Sequence, residues 1–318
     1  MSTHADHDHA DGHAGHAGHD HAISADADRR LLIAALALLV SFMVGEVVVA
    51  LTTGSLALLS DAGHMFSDAG AIAVALWAMR LAARPATGPW TFGWKRAEIL
   101  SALGNGVTLL VFAGLIAFEA VRRLVTDSAA VEGGPVLVVA LVGIVVNVAA
   151  TWLLARANRT SLNIEGAYQH ILTDLYGFVG TAVAAVVIVA TGWAPADAIA
   201  SLIVAALMLQ AGRSLVASSV RVLMEVAPAD LALEEIRAHL REVPHVVDVH
   251  DLHVWSVASD LPTLSAHLVV EEGCFHDGHA AGILDQVQAC LHGHFDLAHS
   301  TFQIEPTTHA EHEHALHD

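Results

Sequence analysis

The sequence predicts an α-helical membrane protein with six transmembrane helices and a small cytosolic α+β domain, and three observations carry that reading. Hydrophobic residues make up 55% of the 318-residue chain and charged residues only 15%, where an ordinary soluble domain has roughly 25% charged. Six apolar segments, near residues 31–51, 56–80, 97–121, 135–155, 164–190 and 197–217, each supply the ~20 residues that a bilayer-spanning helix needs. From Val222 onward the hydropathy falls, and short β-rich runs replace the long apolar ones.

Residues 1–28 are built from Ala, Gly, His and Asp and carry seven histidines: His4, His7, His9, His13, His16, His19 and His21. So little apolar surface cannot bury a core, which predicts a disordered tail. Its histidine content is of the kind that captures metal loosely. It has no apolar run with a basic lead and so is not a secretory signal. Residues 29–221 form the six-helix block, with short links such as Thr52–Ser55 and Thr191–Ala196 that suit hairpins of helices. With both termini cytosolic, ten basic residues (Arg29, Arg30, Arg80, Arg84, Lys95, Arg96, Arg156, Arg159, Arg213 and Arg221) lie inside. Only Arg122 and Arg123 then lie outside.

In residues 222–307, Leu231–Val243 reads as an amphipathic helix with Leu233, Ile236 and Leu240 on one stripe. Val246–Ser256 and Thr263–Glu271 read as strands bracketing Asp260-Leu-Pro, His276–Leu291 as a helix and Ser300–Glu305 as a last strand. That order predicts helices on one face of a small sheet. Residues 308–318 form a second His-rich tail, with His309, His312, His314 and His317.

The net charge of −19 is unevenly spread. The six-helix block holds 12 Lys/Arg against 10 Asp/Glu, the N-terminal tail six acids and no base, and the stretch from Val222 onward 17 acids against two bases. Acidic segments flanking a near-neutral block gather cations and repel nucleic acid, which excludes a nucleic-acid partner. Cys274 and Cys290 make neither a disulfide framework nor a CxxC pair, and both read as structural.

The buried chemistry is concentrated in His64-x-x-x-Asp68 and His170-x-x-x-Asp174, which hold the only two histidines between residues 22 and 238. A spacing of four puts His and Asp on one helix face. An ionisable group in hydrocarbon costs at least about 2.5–3.5 kcal/mol, so such groups mark a pathway or a site. Both pairs lie near the start of their helices, on opposite membrane sides, so antiparallel helices bring them together towards mid-bilayer. Two imidazoles and two carboxylates suit tetrahedral Zn²⁺. Glu46, Glu119, Asn105 and Asn147 read mainly as helix-to-helix glue, and Asp61 as a helix cap or an access-path residue. In the last domain His250 and His267 sit on neighbouring strands with Glu305 on the third. The odd offset of His250 and His253 places them on opposite strand faces.

These pairs, with Thr91-Phe-Gly-Trp-Lys-Arg-Ala-Glu98, Ser161-Leu-Asn-Ile-Glu-Gly-Ala-Tyr168 and Asp251-Leu-His-Val-Trp-Ser256, resemble the cation diffusion facilitator family, specifically its zinc-transporting branch, over roughly residues 29–306. The resemblance implies a homodimer of six-helix protomers in a lipid bilayer, a ferredoxin-like cytosolic domain for metal binding and dimerisation, and export of divalent metal against protons. It implies His64, Asp68, His170 and Asp174 as the transport site, and favours zinc over manganese because the first position is His rather than Asp. It also implies a cytosolic, regulatory metal site at His250, His267 and Glu305, with a further partner left between His276 and His299. Gln303 stands where some relatives have another His. Cadmium and cobalt remain possible cargo, and the short Arg156–Asn163 link resembles bacterial members, implying a bacterial inner membrane. The residues themselves leave two rivals. One is an intramembrane zinc hydrolase, which needs an open coordination position. The other is a membrane-anchored zinc sensor, which needs no transmembrane ligands.

Overall fold

The computed structural model describes residues 21–53, 56–126, 133–193, 195–275, 278–295, 297 and 299–310; some side chains within the first, second and fourth helices, including those of Glu46, Asp61 and His64, lie outside the description. Both His-rich tails fall largely outside it, as does His276. Six long helices follow one another: α1 (His21–Thr53), α2 (Leu56–Ala82), α3 (Ala97–Val125), α4 (Gly133–Leu154), α5 (Leu162–Thr191) and α6 (Pro195–Leu223). Among the described residues, α3, α5, α6 and the Leu137–Leu154 part of α4 are long and apolar enough to cross a membrane. Helix α1 starts at His21, earlier than the tail expectation of 1–28 allows. Asp28 is buried there and its Oδ1 accepts the Asn158 N–H at 2.8 Å, tying the first helix to the α4–α5 link.

Each apolar helix divides into two faces. On α3, Ile99, Ala102, Gly106, Leu109 and Ala113 are buried, while Leu100, Val107, Val111, Leu115 and Phe118 are exposed along another stripe. A continuous apolar stripe facing outward is tolerable only against lipid. Helix α5 sits centrally, touching α2, α3, α4 and α6. Its end is set by Gly192, which at φ 71° takes the left-handed conformation that closes a helix, its N–H bonding the Ile188 carbonyl at 2.8 Å. Helices α3 and α6 meet through glycines. A Cβ on Gly106 would lie 2.9 Å from a Val216 methyl, and one on Gly212 would lie 3.0 Å from the Gly106 carbonyl oxygen.

Two polar residues depart from the sequence expectation. Asp61 is the sixth residue of α2, too deep in the helix to cap it. Asn147 is buried and donates to the Gly143 carbonyl of its own helix at 3.1 Å, a bond within the helix and not between helices. Asn163 does cross between helices, its Nδ2 donating to the Ala75 carbonyl at 2.9 Å.

The last part of the chain runs α7 (Leu233–Arg241), β1 (Val246–Ser256), β2 (Pro262–Val270), a 3₁₀ turn (Glu272–Phe275), α8 (Ala280–Phe295), β3 (His299–Pro306) and α9 (Thr307–Ala310). The sheet order is β1-β2-β3, the first pair antiparallel and the second parallel. A parallel neighbour requires a crossover, which α8 supplies. Ile236 and Leu240 of α7 and Ile283, Val287 and Leu291 of α8 form the core with Val249, Val254, Leu264 and Leu268 of the sheet. The short α9 lies on the other face, where His309 approaches Glu305 at 3.9 Å, so the helices are not all on one side as the sequence suggested.

Candidate metal centre

Helices α2 and α5 are antiparallel where they touch, since Asn163 reaches Ala75 while His170 reaches Asp68 further down the pair. This brings the two predicted motifs together. His170 Nε2–H donates to Asp68 Oδ1 at 2.8 Å, and Asp174 Oδ2 lies 3.9 Å from the same nitrogen, one turn along α5. One donor atom from each of Asp68, His170 and Asp174 lies within 4.8 Å of the others. His170 and Asp68 are 3% and 4% exposed, and His170 Nδ1 has no hydrogen-bond partner among the described residues. Two carboxylates and an orphaned imidazole nitrogen would be a costly arrangement inside a bundle unless a cation is received there. The His64 side chain lies outside the described ones; its backbone is one turn before Asp68 on α2.

The second cluster lies on the sheet face away from α7 and α8. His250 pairs with His267 across β1–β2, and His267 with Gln303 across β2–β3. Glu305, 2% exposed, accepts from His250 Nε2 at 2.5 Å and lies 3.8 Å from His267 Nδ1. Asp251 joins His250 and His267 within 4.8 Å. Sequence reading passed over Asp251 because its place depends on a bulge. The register shifts between His250 and His253, where β1 takes one residue more than β2, and Asp251 has φ 46°. The extra residue restores the parity of the strand: Val249 and Val254 both face the core, so His250 and His253 share the opposite face. This corrects the expectation that they diverge. His299 lies at the other end of that face, edge-on to Phe92 with ring centres 6.3 Å apart, and is not among the residues grouped with His250.

The hairpin between β1 and β2 also reaches the helical bundle. Ser259, at its tip, donates its N–H to Glu98 Oε1 of α3 at 3.2 Å and accepts the Leu162 N–H of α5 at 3.1 Å. Arg96 bonds Glu225 at 2.8 Å beside it. The approach loop is shaped by Gly93, at φ 65°, where a Cβ would sit 3.1 Å from the Arg84 carbonyl oxygen. The Thr91–Glu98 and Ser161–Tyr168 segments singled out in the sequence therefore supply the docking surface for the hairpin.

Residues 31–224 match the model of the cation efflux transmembrane domain, and residues 228–307 that of the cation efflux protein cytoplasmic domain. The chain belongs to the cation efflux family. It is 40% identical to the zinc transporter ZitB of Escherichia coli K12 over 282 residues, 88% of each chain. It is 36% identical to the cadmium, cobalt and zinc/H(+)-K(+) antiporter of Bacillus subtilis, covering 93% of this chain and 94% of that one. It is also 36% identical to the metal cation efflux system protein CzcD of Cupriavidus metallidurans, over 87% of each. These relatives are transporters, not enzymes. Family membership makes the chain a multi-pass membrane protein whose cytoplasmic part is of a dimerising type.

Proposed function

We propose that the protein is a zinc efflux carrier that exchanges Zn²⁺ for protons by alternating access, using His64, Asp68, His170 and Asp174 as the transport site. The observation that carries this is the Asp68–His170 contact at 2.8 Å with Asp174 beside it, between two antiparallel helices and away from water. Imidazole and carboxylate must be deprotonated to ligate, so metal entry displaces protons and proton entry displaces metal. The two carboxylates neutralise Zn²⁺, so the loaded site carries no net charge across the apolar barrier. Helix spacing places His64 on the Asp68 face, which would complete a tetrahedral set of two imidazoles and two carboxylates. Relatives named for zinc, cadmium and cobalt support divalent cargo, with zinc favoured by the two nitrogen donors.

The same reading takes all six long helices as spans, both termini as cytosolic from the basic-residue bias, and the membrane as a bacterial inner membrane. The αββαβ domain is read as a ferredoxin-like unit through which two protomers form a homodimer. Its sheet face fits a divalent ion: His250, Asp251 and His267 offer donors within 4.8 Å beside the buried Glu305 carboxylate. Such an ion would cross-link β1, β2 and β3. The chain's own residues then link the sheet to the transport helices through Ser259, held by Glu98 of α3 and by Leu162 at the start of α5.

The test is uptake of radioactive zinc by sealed liposomes bearing the purified protein, with an imposed pH gradient and His170→Ala beside it. Gradient-driven uptake that the variant lacks is the expected result. Zinc binding without uptake would instead favour a membrane-anchored sensor.

A further inference from the structure

We propose a second cytosolic metal site, formed by His245, Glu271 and Cys274 at the root of the β1–β2 hairpin, that takes a thiophilic divalent cation such as Zn²⁺, Cd²⁺ or Co²⁺. One donor atom from each of the three lies within 4.8 Å of the others. His245 Nδ1 stands 3.0 Å from Glu271 Oε2. The Cys274 thiol is free of any disulfide, and the residue is only 3% exposed, with its sulfur turned to the imidazole and carboxylate. The His279 ring stacks parallel to that of His245, with centres 6.0 Å apart, and is the nearest candidate for a fourth donor.

The geometry needs little adjustment. A tetrahedral zinc with one sulfur, one nitrogen and one oxygen ligand holds these atoms about 3.3–3.6 Å apart, so no pair has to close by more than roughly 1.5 Å. The backbone around the three residues is tied together: Glu271 N–H donates to the His245 carbonyl at 3.1 Å and Cys274 N–H to the Glu271 carbonyl at 3.0 Å. A thiolate with imidazole and carboxylate donors prefers zinc, cadmium or cobalt over magnesium or calcium.

This site is separate from the one on the sheet face. His245 precedes β1, and Glu271 and Cys274 follow β2, whereas His250 lies five residues beyond His245 and His267 four residues before Glu271. At ~3.3 Å per residue the two centres are roughly 13–17 Å apart. The assignment does not depend on whether the protein transports zinc.

Cobalt distinguishes a thiolate site from every other site in the chain, because only sulfur-bound Co²⁺ gives an intense sulfur-to-metal band in the near ultraviolet. The other thiol, Cys290, lies 4.0 Å from His294 Nδ1, so the full-length protein is studied in a Cys290→Ser background. Titration with Co²⁺ in detergent should produce the band there and lose it in Cys274→Ser. His245→Asn keeps a residue that tolerates the left-handed backbone at φ 70° and covers the case in which the serine variant misfolds. It should weaken Co²⁺ binding, read from the band, at least tenfold. Cobalt bound without the band in the Cys290→Ser protein, or a band that survives both variants, overturns the proposal.

Discussion

His170 lies between Asp68 of one helix and Asp174 of its own, and the two carboxylates do different structural work. Asp68 bridges α2 to α5, and Asp174 lies one turn along α5 from His170. Asp174→Ala should abolish zinc uptake while leaving the protein folded. Asp68→Ala should abolish uptake and also cost about 1–3 kcal/mol, because it leaves a buried imidazole unpartnered. Normal transport by Asp174→Ala would remove it from the site. Outside the membrane, burial pushes the Asp248 carboxyl up, but its hydrogen bonds from Arg241 and from the Val249 N–H pull harder and hold it below the usual range. A depressed carboxyl stabilises the fold above its unfolded value near pH 4 and loses that contribution as pH falls through the folded value. Asp248→Asn should flatten this acid limb of the unfolding curve by no more than about 1 kcal/mol, since the pair is half-exposed. The meeting of His170 with Asp68 was legible because helical spacing is local and regular. The place of Asp251 was not, because an extra residue in a strand leaves no mark in residue type.

At the scale of elements, the glycine contact between α3 and α6 leaves no room for a side chain. Gly106→Leu should destabilise the bundle by roughly 1–3 kcal/mol, read as a lower unfolding temperature in detergent, whereas Gly104→Ala, with open space around it, should not. The hairpin tip gives a second test. Ser259→Ala removes the acceptor for the Leu162 N–H and the hydroxyl bond to Glu98 but keeps the backbone bond to Glu98. It should slow zinc transport several-fold with the cytosolic domain still folded; an unchanged rate would make the contact incidental. The cytosolic helices and strands fall within a few residues of their sequence positions, because amphipathic period and β-rich runs coincide there. Helix α9 was hidden in a segment whose histidines masked any pattern. The tie from Asp28 to Asn158 was hidden too, because the two lie 130 residues apart in the chain.

For the molecule as a whole, groups that could hold a metal ion are spread over more places than the proposed transport site requires. Histidines crowd both ends of the chain, and the acids from Val222 onward add to them. If protection of a cell depends on movement of metal across the membrane, deleting the N-terminal tail from an Asp68→Ala protein should add nothing to its zinc sensitivity. Greater sensitivity in that double variant would mean that the tail protects by sequestration alone. The division into a lipid-facing block and an acidic cytosolic domain was visible in composition. The contact between them was not, since Ser259 meets Glu98 and the Leu162 N–H, and His299 meets Phe92, across long separations in the chain.

The extra residue in β1 has a consequence for how this gene can tolerate change. Removing Asp251 would leave Leu252 opposite Ala266 and give β1 the same count as β2, so Val254 would stay on the core face and His253 on the histidine face. A single in-frame codon loss there should therefore cost the Asp251 carboxylate but not the sheet. Gain of one codon at the same place should instead turn the rest of the strand over, sending Trp255 towards the core, and should be far more damaging.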